Sequence, residues 1–293
     1  MKIAFFSETG NNQKYPRDFP NARTEVAWCI ALDAPMCHLE QLPNDHFDLG
    51  IVIIPKNNPN IDLNHIRKVC DKIAIMQEGP HWFFQDYDVT NQFHYYNCLM
   101  EADWIYCHNY SDMKYYKGLG CKDVKVLRSL MIPEGLKPRS ELGNGTIIGG
   151  NFVSWYGGFD SYVVAREIDD TISAPSMGRK QEQESMIDDI NYLPYMSWRE
   201  WIDNLSQYNI GIHLMRTHAA GTFAMNCAFH GIPCIGYRGL DTQELLHSNT
   251  MVEVGDLYEA KKLVLRLKQD TYFYKECSEM SKMGFQKHYT EEK

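Results

Sequence analysis

The chain has 293 residues, of which 44% are hydrophobic and 13% aromatic, and a formal net charge of -9. That length exceeds what one hydrophobic core usually organises and sets an expectation of two domains. The apolar content, free of low-complexity tracts and blocks of like charge, excludes global disorder, and the negative balance argues against a broad electropositive face for nucleic acid, although a local basic cleft would be invisible in the sum.

Residues 2–6 read as a buried strand, too short an apolar run for a signal peptide and closed by Ser7, Glu8, Thr9 and Gly10. The loop 7–21 is long for a βα connection and contains Gly10, Asn11, Asn12, Pro16, Arg17, Asp18 and Pro20. Long ordered loops in compact domains are usually functional. It leads into a helix over 22–32, with Asn21 as a candidate cap, and a strand over 48–54. Helices at 61–69, 92–102 and 111–119 then alternate with strands at 73–76, 104–107 and 124–127. Short apolar strands separated by helices imply a parallel sheet covered on both faces.

The rhythm stops between 131 and 144, where Pro133, Gly135, Pro138 and Gly143 supply turn chemistry. This marks a linker between a domain over 1–143 and one over 144–271. Strands at 146–150, 171–174, 210–214 and 233–236 follow, with helices at 159–168, 198–207 and 222–230. A segment at 257–267 and a polar, aromatic-rich helix over about 272–293 close the chain, the last expected to pack back on the first domain. The fold class is α/β: two Rossmann-like doubly wound domains facing across a cleft, at the carboxyl ends of both sheets, where such sheets bind ligands. Nine scattered cysteines without a CxxC pair fit neither a disulfide framework nor a zinc site and suggest a reduced, cytoplasmic protein. No apolar stretch reaches membrane-spanning length.

The stretch 209–236 carries the chemistry. It reads strand, small-residue loop, helix, Gly231-Ile232-Pro233, strand. Ala219, Ala220 and Gly221 let backbone approach a ligand closely, and the free N–H groups and dipole of the next helix favour a phosphate. The competing reading is an ordinary βαβ crossover whose Gly and Pro serve only turn geometry. His213 and His230 read as structural, one inside a strand and one near a helix C-terminus.

The run Asn226-Cys-Ala-Phe-His-Gly-Ile-Pro-Cys-Ile matches in spacing the Glu-Ala-Met-Ala-x-Gly-x-Pro-Val-Ile pattern of GT-B glycosyltransferases. Residues 193–212 resemble the helix and strand that precede that pattern. The resemblance, to the retaining, family-4-like members with a divergent phage-type member as the alternative, covers about 145–267; the first domain matches only in rhythm. It implies transfer of a sugar from a nucleoside diphosphate sugar, such as a UDP-sugar, to a hydroxyl acceptor, with retention, no metal ion and no cofactor beyond the nucleotide-sugar co-substrate. The candidate donor set is Arg179, Lys180, Arg216, His218, Ala220, Gly221, Thr222 and Asn226; of these, Arg179 and Lys180 are adjacent cations after the strand 171–174, with a solvated basic turn as the competing reading, and Arg216 stands at the carboxyl end of the strand 210–214. Two departures stand out. The two glutamates that retaining members carry eight positions apart fall here on His218 and Asn226. The usual Arg and Lys after the first strand of this domain are missing, where Gly149, Gly150, Gly157 and Gly158 keep the glycines only, so Arg179, Lys180 or Arg216 would have to compensate.

In the first domain, Gln77-Glu78-Gly79-Pro80-His81-Trp82 follows a buried strand directly. His81 loosely resembles the histidine that GT-B enzymes place near the donor sugar, with a satisfied turn histidine as the competing view. Glu78 is a candidate to orient the acceptor, and Glu78, His81 and Asp18 are the candidate bases for an inverting scheme. Arg17 and Arg23 are assigned to the acceptor. Three rivals keep part of this reading: a glycosyltransferase acting on a modified base in DNA, a sugar-nucleotide-binding protein without transfer activity, and a GT-B-shaped epimerase.

Overall fold

A computed structural model describes residues 1–55, 61–77, 79–150, 152–153, 155–175 and 186–291. The chain divides into two compact units, Met1–Ile132 with His218–Ala220, and Pro133–Thr217 with Gly221–Lys293.

The first unit carries strands β1 (Ile3–Ser7), β2 (Met36–His38), β3 (Phe47–Ile54), β4 (Cys70–Gln77), β5 (Trp104–Cys107) and β6 (Val124–Val126), paired in the order β2-β1-β3-β4-β5-β6. Every pairing is parallel. Its helices are α1 (Glu25–Ala31), α2 (Leu63–Ile66), α3 (Val89–Glu101) and α4 (Met113–Gly118). Strand side chains alternate between two cores, as the period of two requires. Ala4, Phe6, Val52 and Ile75 pack with Tyr95 and Leu99 of α3, while Phe5, Ile51, Ile53 and Met76 pack with Trp28 of α1.

The second unit repeats the plan with β7 (Thr146–Ile148), β8 (Ile172–Ala174), β9 (Ile190–Tyr192), β10 (Ile210–His213), β11 (Cys234–Tyr237) and β12 (Met251–Val252), in the order β12-β11-β10-β7-β8-β9. Its helices are α5 (Gly158–Ala165), α6 (Trp198–Leu205), α7 (Thr222–His230), α8 (Asp241–Leu246), α9 (Leu257–Gln269) and α10 (Thr271–His288). Ile148, Ile212 and Ile235 share one core with Val164 of α5 and Val264 of α9, and Ile147 and Cys234 share the other with Phe223 and Cys227 of α7.

The division falls at Ile132/Pro133, eleven residues before the expected linker end at 143. Arg139 explains the shift: its guanidinium donates to His230 O at 2.9 Å, Tyr208 O and Gly231 O at 2.7 Å, and Tyr274 Oη at 2.7 Å. A cation thereby satisfies the terminal carbonyls of α7 and ties the segment to the second unit. The closing helix α10, expected against the first domain, buries Phe273, Tyr274, Cys277 and Phe285 and packs on α7, α8 and α9 of the second unit. The N-cap of α1 is Thr24, not Asn21. All nine cysteines are free and buried, and no helix among the described residues is long and apolar enough to cross a membrane.

Both histidines read as structural are buried, and a third joins them. Burial lowers His213, His230 and His247 to about 4 each. Arg139 N donates to His230 Nδ1, so Nε2–H points at Ile202 O, 2.8 Å away. An unfolded imidazole binds its proton near pH 6.5 and these bind theirs only near 4, so each adds stability above that window, on the order of 3 kcal/mol, that is lost as pH falls through it. The melting temperature should therefore drop steeply between about pH 6.5 and 4, with unfolding taking up as many as three protons from these groups; a flat profile over that range would contradict the assignment.

Candidate active site

In each unit the crossovers reverse direction once: between β1 and β3 in the first, and between β7 and β10 in the second. Ligands of open parallel sheets bind at such switch points, outside the carboxyl ends of the strands.

In the second unit that position is formed by the glycine-rich turn after β7 and the loop after β10. Side chains are excluded there by contact. A Cβ on Gly149 would lie 2.5 Å from the Phe223 ring, and one on Gly157, whose φ is +67°, 1.9 Å from Leu214 O. Ser161 Oγ accepts from Leu214 N at 2.9 Å and donates to Gly157 O at 2.8 Å, which holds the β10 loop against the start of α5.

Helix α7 begins at Gly221, a left-handed N-cap with φ +66° and no side-chain cap. Its first-turn N–H groups and positive dipole end lack the carboxylate or hydroxyl that usually serves them. A Cβ on Gly221 would come within 2.0 Å of Thr242 Oγ1. Three buried polar atoms of this unit, Thr242 Oγ1, Asn226 Oδ1 and His213 Nε2, have no hydrogen-bond partner, and such atoms in a native fold call for an explanation. Asn226 sits one turn into α7 from Thr222, on the same helix face.

In the first unit, β4 and β5 deliver a second constellation. Asp112 is 3% exposed. Its Oδ1 accepts from His81 Nδ1 at 3.1 Å and His218 Nδ1 at 3.3 Å, and its Oδ2 from Asn109 Nδ2 at 3.1 Å. Burial raises the Asp112 carboxyl, but the hydrogen bonds from His218, His81 and Asn109 outweigh it and hold the group well below the usual carboxylate range. An ionised acceptor fixes the proton of each neutral ring on Nδ1 and leaves Nε2 as the working nitrogen, the logic of a carboxylate-oriented histidine. The tripeptide His218–Ala220 is secured further by Ser111 Oγ on His218 Nδ1 (3.1 Å), Asn109 Nδ2 on Ala219 O (3.0 Å) and Ser129 Oγ on Ala220 O (3.1 Å).

A pocket of about 370 Å³ in the same unit is lined by Glu8, His38, Leu39, Glu40, Pro55, Ile61, Asp62 and His65. It lies past the carboxyl ends of β1, β2 and β3, at that sheet's reversal.

No family model matches the chain, and no curated protein is similar to it. Solved structures are. A sucrose-phosphate synthase from Thermosynechococcus elongatus superposes with a TM-score of 0.75 over 99% of this chain and 95% of that one, at 10% identity. HepE from Anabaena, solved with UDP and glucose, gives 0.67 over 99% and 96%, again at 10% identity. TarM gives 0.64 over 83% of this chain and 52% of that one, at 9% identity. The chain has the GT-B fold.

Within that GT-B fold the expected site residues separate into groups. Gly221, Thr222 and Asn226 lie together at the start of α7, while His218 and Ala220 are bound to the first unit, beside His81 in the case of His218. Arg216 is 57% exposed in its side chain and pairs with Asp160 at 3.0 Å; Tyr237 Oη donates to the same oxygen, also at 3.0 Å. Its charge is therefore partly neutralised. Arg17, Asp18 and Arg23 are exposed; Glu78, Arg179 and Lys180 lie outside the described residues. Asp112, Asn109 and Thr242 escaped the sequence reading. The signal for the first two was the polar run 108–112 directly after strand β5, at the carboxyl edge of the sheet.

Two substitutions test the α7 entry. Gly221→Ala places a Cβ at positive φ against Thr242 and should destabilise by about 1–3 kcal/mol. Thr242→Val keeps the shape, removes an unpartnered hydroxyl and should stabilise the ligand-free chain by up to about 1 kcal/mol. Thermal melting of both reads the result; a Thr242→Val variant that melts clearly lower would show that the hydroxyl is satisfied.

Proposed function

We propose that the chain is a glycosyltransferase that moves a hexosyl group from a nucleoside diphosphate sugar to a hydroxyl acceptor, with retention of configuration and without a metal ion. The observation that carries this is the uncapped start of α7, entered through left-handed Gly221 at a sheet reversal and accompanied by unpartnered Thr242 and Asn226. Backbone N–H groups and a helix dipole aimed at one point stabilise the charge that develops on a leaving diphosphate. Asn226 offers an amide to a ribose hydroxyl, where the resemblance implies a glutamate.

In the retaining scheme the bond from the anomeric carbon to the diphosphate oxygen breaks as the acceptor oxygen bonds to the same face. The leaving phosphate oxygen takes the acceptor proton, so no protein base is required. A neutral His81 or His218 ring, its Nδ1–H on Asp112, presents Nε2 as an acceptor. Were the reaction inverting, His81 Nε2 would be positioned by Asp112 to accept the acceptor proton. The UDP-glucose complex of HepE favours a UDP-sugar as donor. The pocket past β1 and β3, lined among the described residues by the carboxylates of Glu8, Glu40 and Asp62, favours a neutral or cationic acceptor over a modified base in DNA, because these carboxylates repel a phosphate backbone. Nine buried free thiols fit a reducing, cytoplasmic setting.

The second reading, a binding protein without transfer, is favoured by Asn226 and His218 in place of acids. A thermal-shift panel of nucleoside diphosphates and their sugars separates the outcomes. At 100-fold excess over Kd a bound donor adds about 2.7 kcal/mol, which corresponds to roughly 4 °C for a chain of this size. Stabilisation followed by transfer, with the product anomer matching the donor, is the expected result. Stabilisation with neither transfer nor donor hydrolysis would select the binding protein, and no stabilisation by any member of the panel would contradict the donor reading.

A further inference from the structure

Helix α3 turns an apolar face to water. The outer face of a helix is ordinarily polar, yet Val89, Phe93, Tyr96 and Met100 of α3 are each between 36% and 67% exposed. At 3.6 residues per turn these four fall within an arc of about 60°, so they form one continuous stripe. Another side of the same helix already serves the core, where Tyr95, Cys98 and Leu99 are buried. No other helix among the described residues carries more than two exposed large apolar residues. Single apolar residues on a surface are ordinary, whereas a contiguous apolar patch marks an interaction site.

Spacing and charge select the partner. The steps from 89 to 93, 96 and 100 are four, three and four residues, the alternation of a coiled-coil seam, whose complement is a second helix of the same spacing. The two ends of the stripe carry opposite charge. At the N-terminal end stand the exposed carboxylates of Asp86 and Asp88. At the C-terminal end, the Tyr96 hydroxyl donates to Leu119 O at 3.3 Å, and a Cβ on Gly120 would lie 3.9 Å from Met100 Sδ. The turn that closes α4 therefore flanks the stripe there, bringing exposed Lys117 and Lys122. Of the acids at that end, Asp123 is paired with Lys125 at 3.3 Å, and Glu101 lies roughly 110° round the helix from the middle of the stripe.

We infer that this face is the contact between two copies of the chain, with α3 packed antiparallel on the partner's α3 about a two-fold axis. The register follows from the spacing. An axis midway between Phe93 and Tyr96 sets Val89 against the partner's Met100 and Phe93 against the partner's Tyr96, and symmetry repeats both pairs. Four aromatic rings then meet at the centre of an apolar patch with a polar rim. Each acidic end lies beside the partner's Lys117 and the partner's Lys122, and each helix N-terminus beside a C-terminus, so charges and dipoles attract. A parallel arrangement would set acid on acid and lysine on lysine. An anionic membrane surface would attract the lysine end and repel the aspartate end, so a second copy is the better complement. The contact lies wholly in the first unit and is independent of the donor reading. Four seam residues with a charged rim fall short of the roughly 20 residues a side of a standard interface, so the dimer should exchange with monomer at micromolar concentration.

Sedimentation equilibrium of the full chain, from low micromolar to sub-millimolar concentration, tests this. The expected result is a mass that rises from 34.1 kDa towards twice that value. Phe93→Glu should weaken self-association at least about thirtyfold and leave the melting temperature of the dilute chain unchanged, because the side chain it replaces is exposed. Asp88 caps α3 through Asn91 N and is left in place. Asp86→Lys should weaken association several-fold in the natural background, and strengthen it in a background of Lys117→Glu with Lys122→Glu, where it meets acid instead of lysine. A mass that stays at 34.1 kDa throughout overturns the dimer. Phe93→Glu that associates as tightly as the unmodified chain overturns the seam, and an Asp86→Lys effect of the same sign in both backgrounds overturns the antiparallel arrangement. A monomeric chain that floats with phosphatidylserine–phosphatidylcholine vesicles, and ceases to do so in Phe93→Glu, also overturns the inference and assigns the stripe to a lipid surface.

Discussion

Helix α7 cannot begin in the ordinary way. Its N-cap is a glycine at φ +66°, and the space where a Cβ would stand is taken by Thr242 Oγ1. No serine, threonine or aspartate can occupy that cap, so the first-turn N–H groups are left for something other than the chain's own side chain. The helix itself is held by burial: every residue from Phe223 to His230 is buried. The remainder of the second unit is arranged around the consequence. The reversal between β7 and β10 sets the site, the glycines after β7 keep it narrow, and Arg139 with α10 secures the opposite end of α7.

The loop that precedes α7 answers to different forces. Between Thr217 and Gly221 the chain passes from one compact unit to the other and back, and the tripeptide inside is held by hydrogen bonds from Asn109, Ser111 and Ser129 together with the His218–Asp112 pair. Asp112 is the costly element here. An ionised carboxylate at 3% exposure is tolerated only because both its oxygens are engaged. Such a network orients both imidazoles firmly.

Much of the architecture was legible in the sequence because parallel strands buried on both faces are continuous apolar runs. Strand β5 and helix α7 fall on the expected residues, and β1, β3, β7, β8, β10 and β11 lie within a residue or two at most ends. Four elements were not legible: β2 and β9 with three residues, β12 with two and α8 with six. The position of α10 was misjudged because aromatic and polar residues at 272 onward carry no mark of which partner they face. Of the site, the glycine-rich entry to α7 was readable as backbone chemistry. Asp112 was not, because its meaning depends on His81 and His218, which lie 31 and 106 positions away in the chain. The side chain of Arg216 looked available in sequence, and only the fold brings Asp160 to it.

The claim on which the account rests is that the first turn of α7 receives the diphosphate. Amide resonances of Thr222, Phe223 and Ala224 in the isotopically labelled chain, followed on addition of UDP, test it most directly. The account predicts large, saturating downfield shifts of these three N–H groups, as expected for hydrogen bonds to phosphate oxygens. Amides of Thr222, Phe223 and Ala224 that stay in place while UDP binding shifts resonances elsewhere would contradict it.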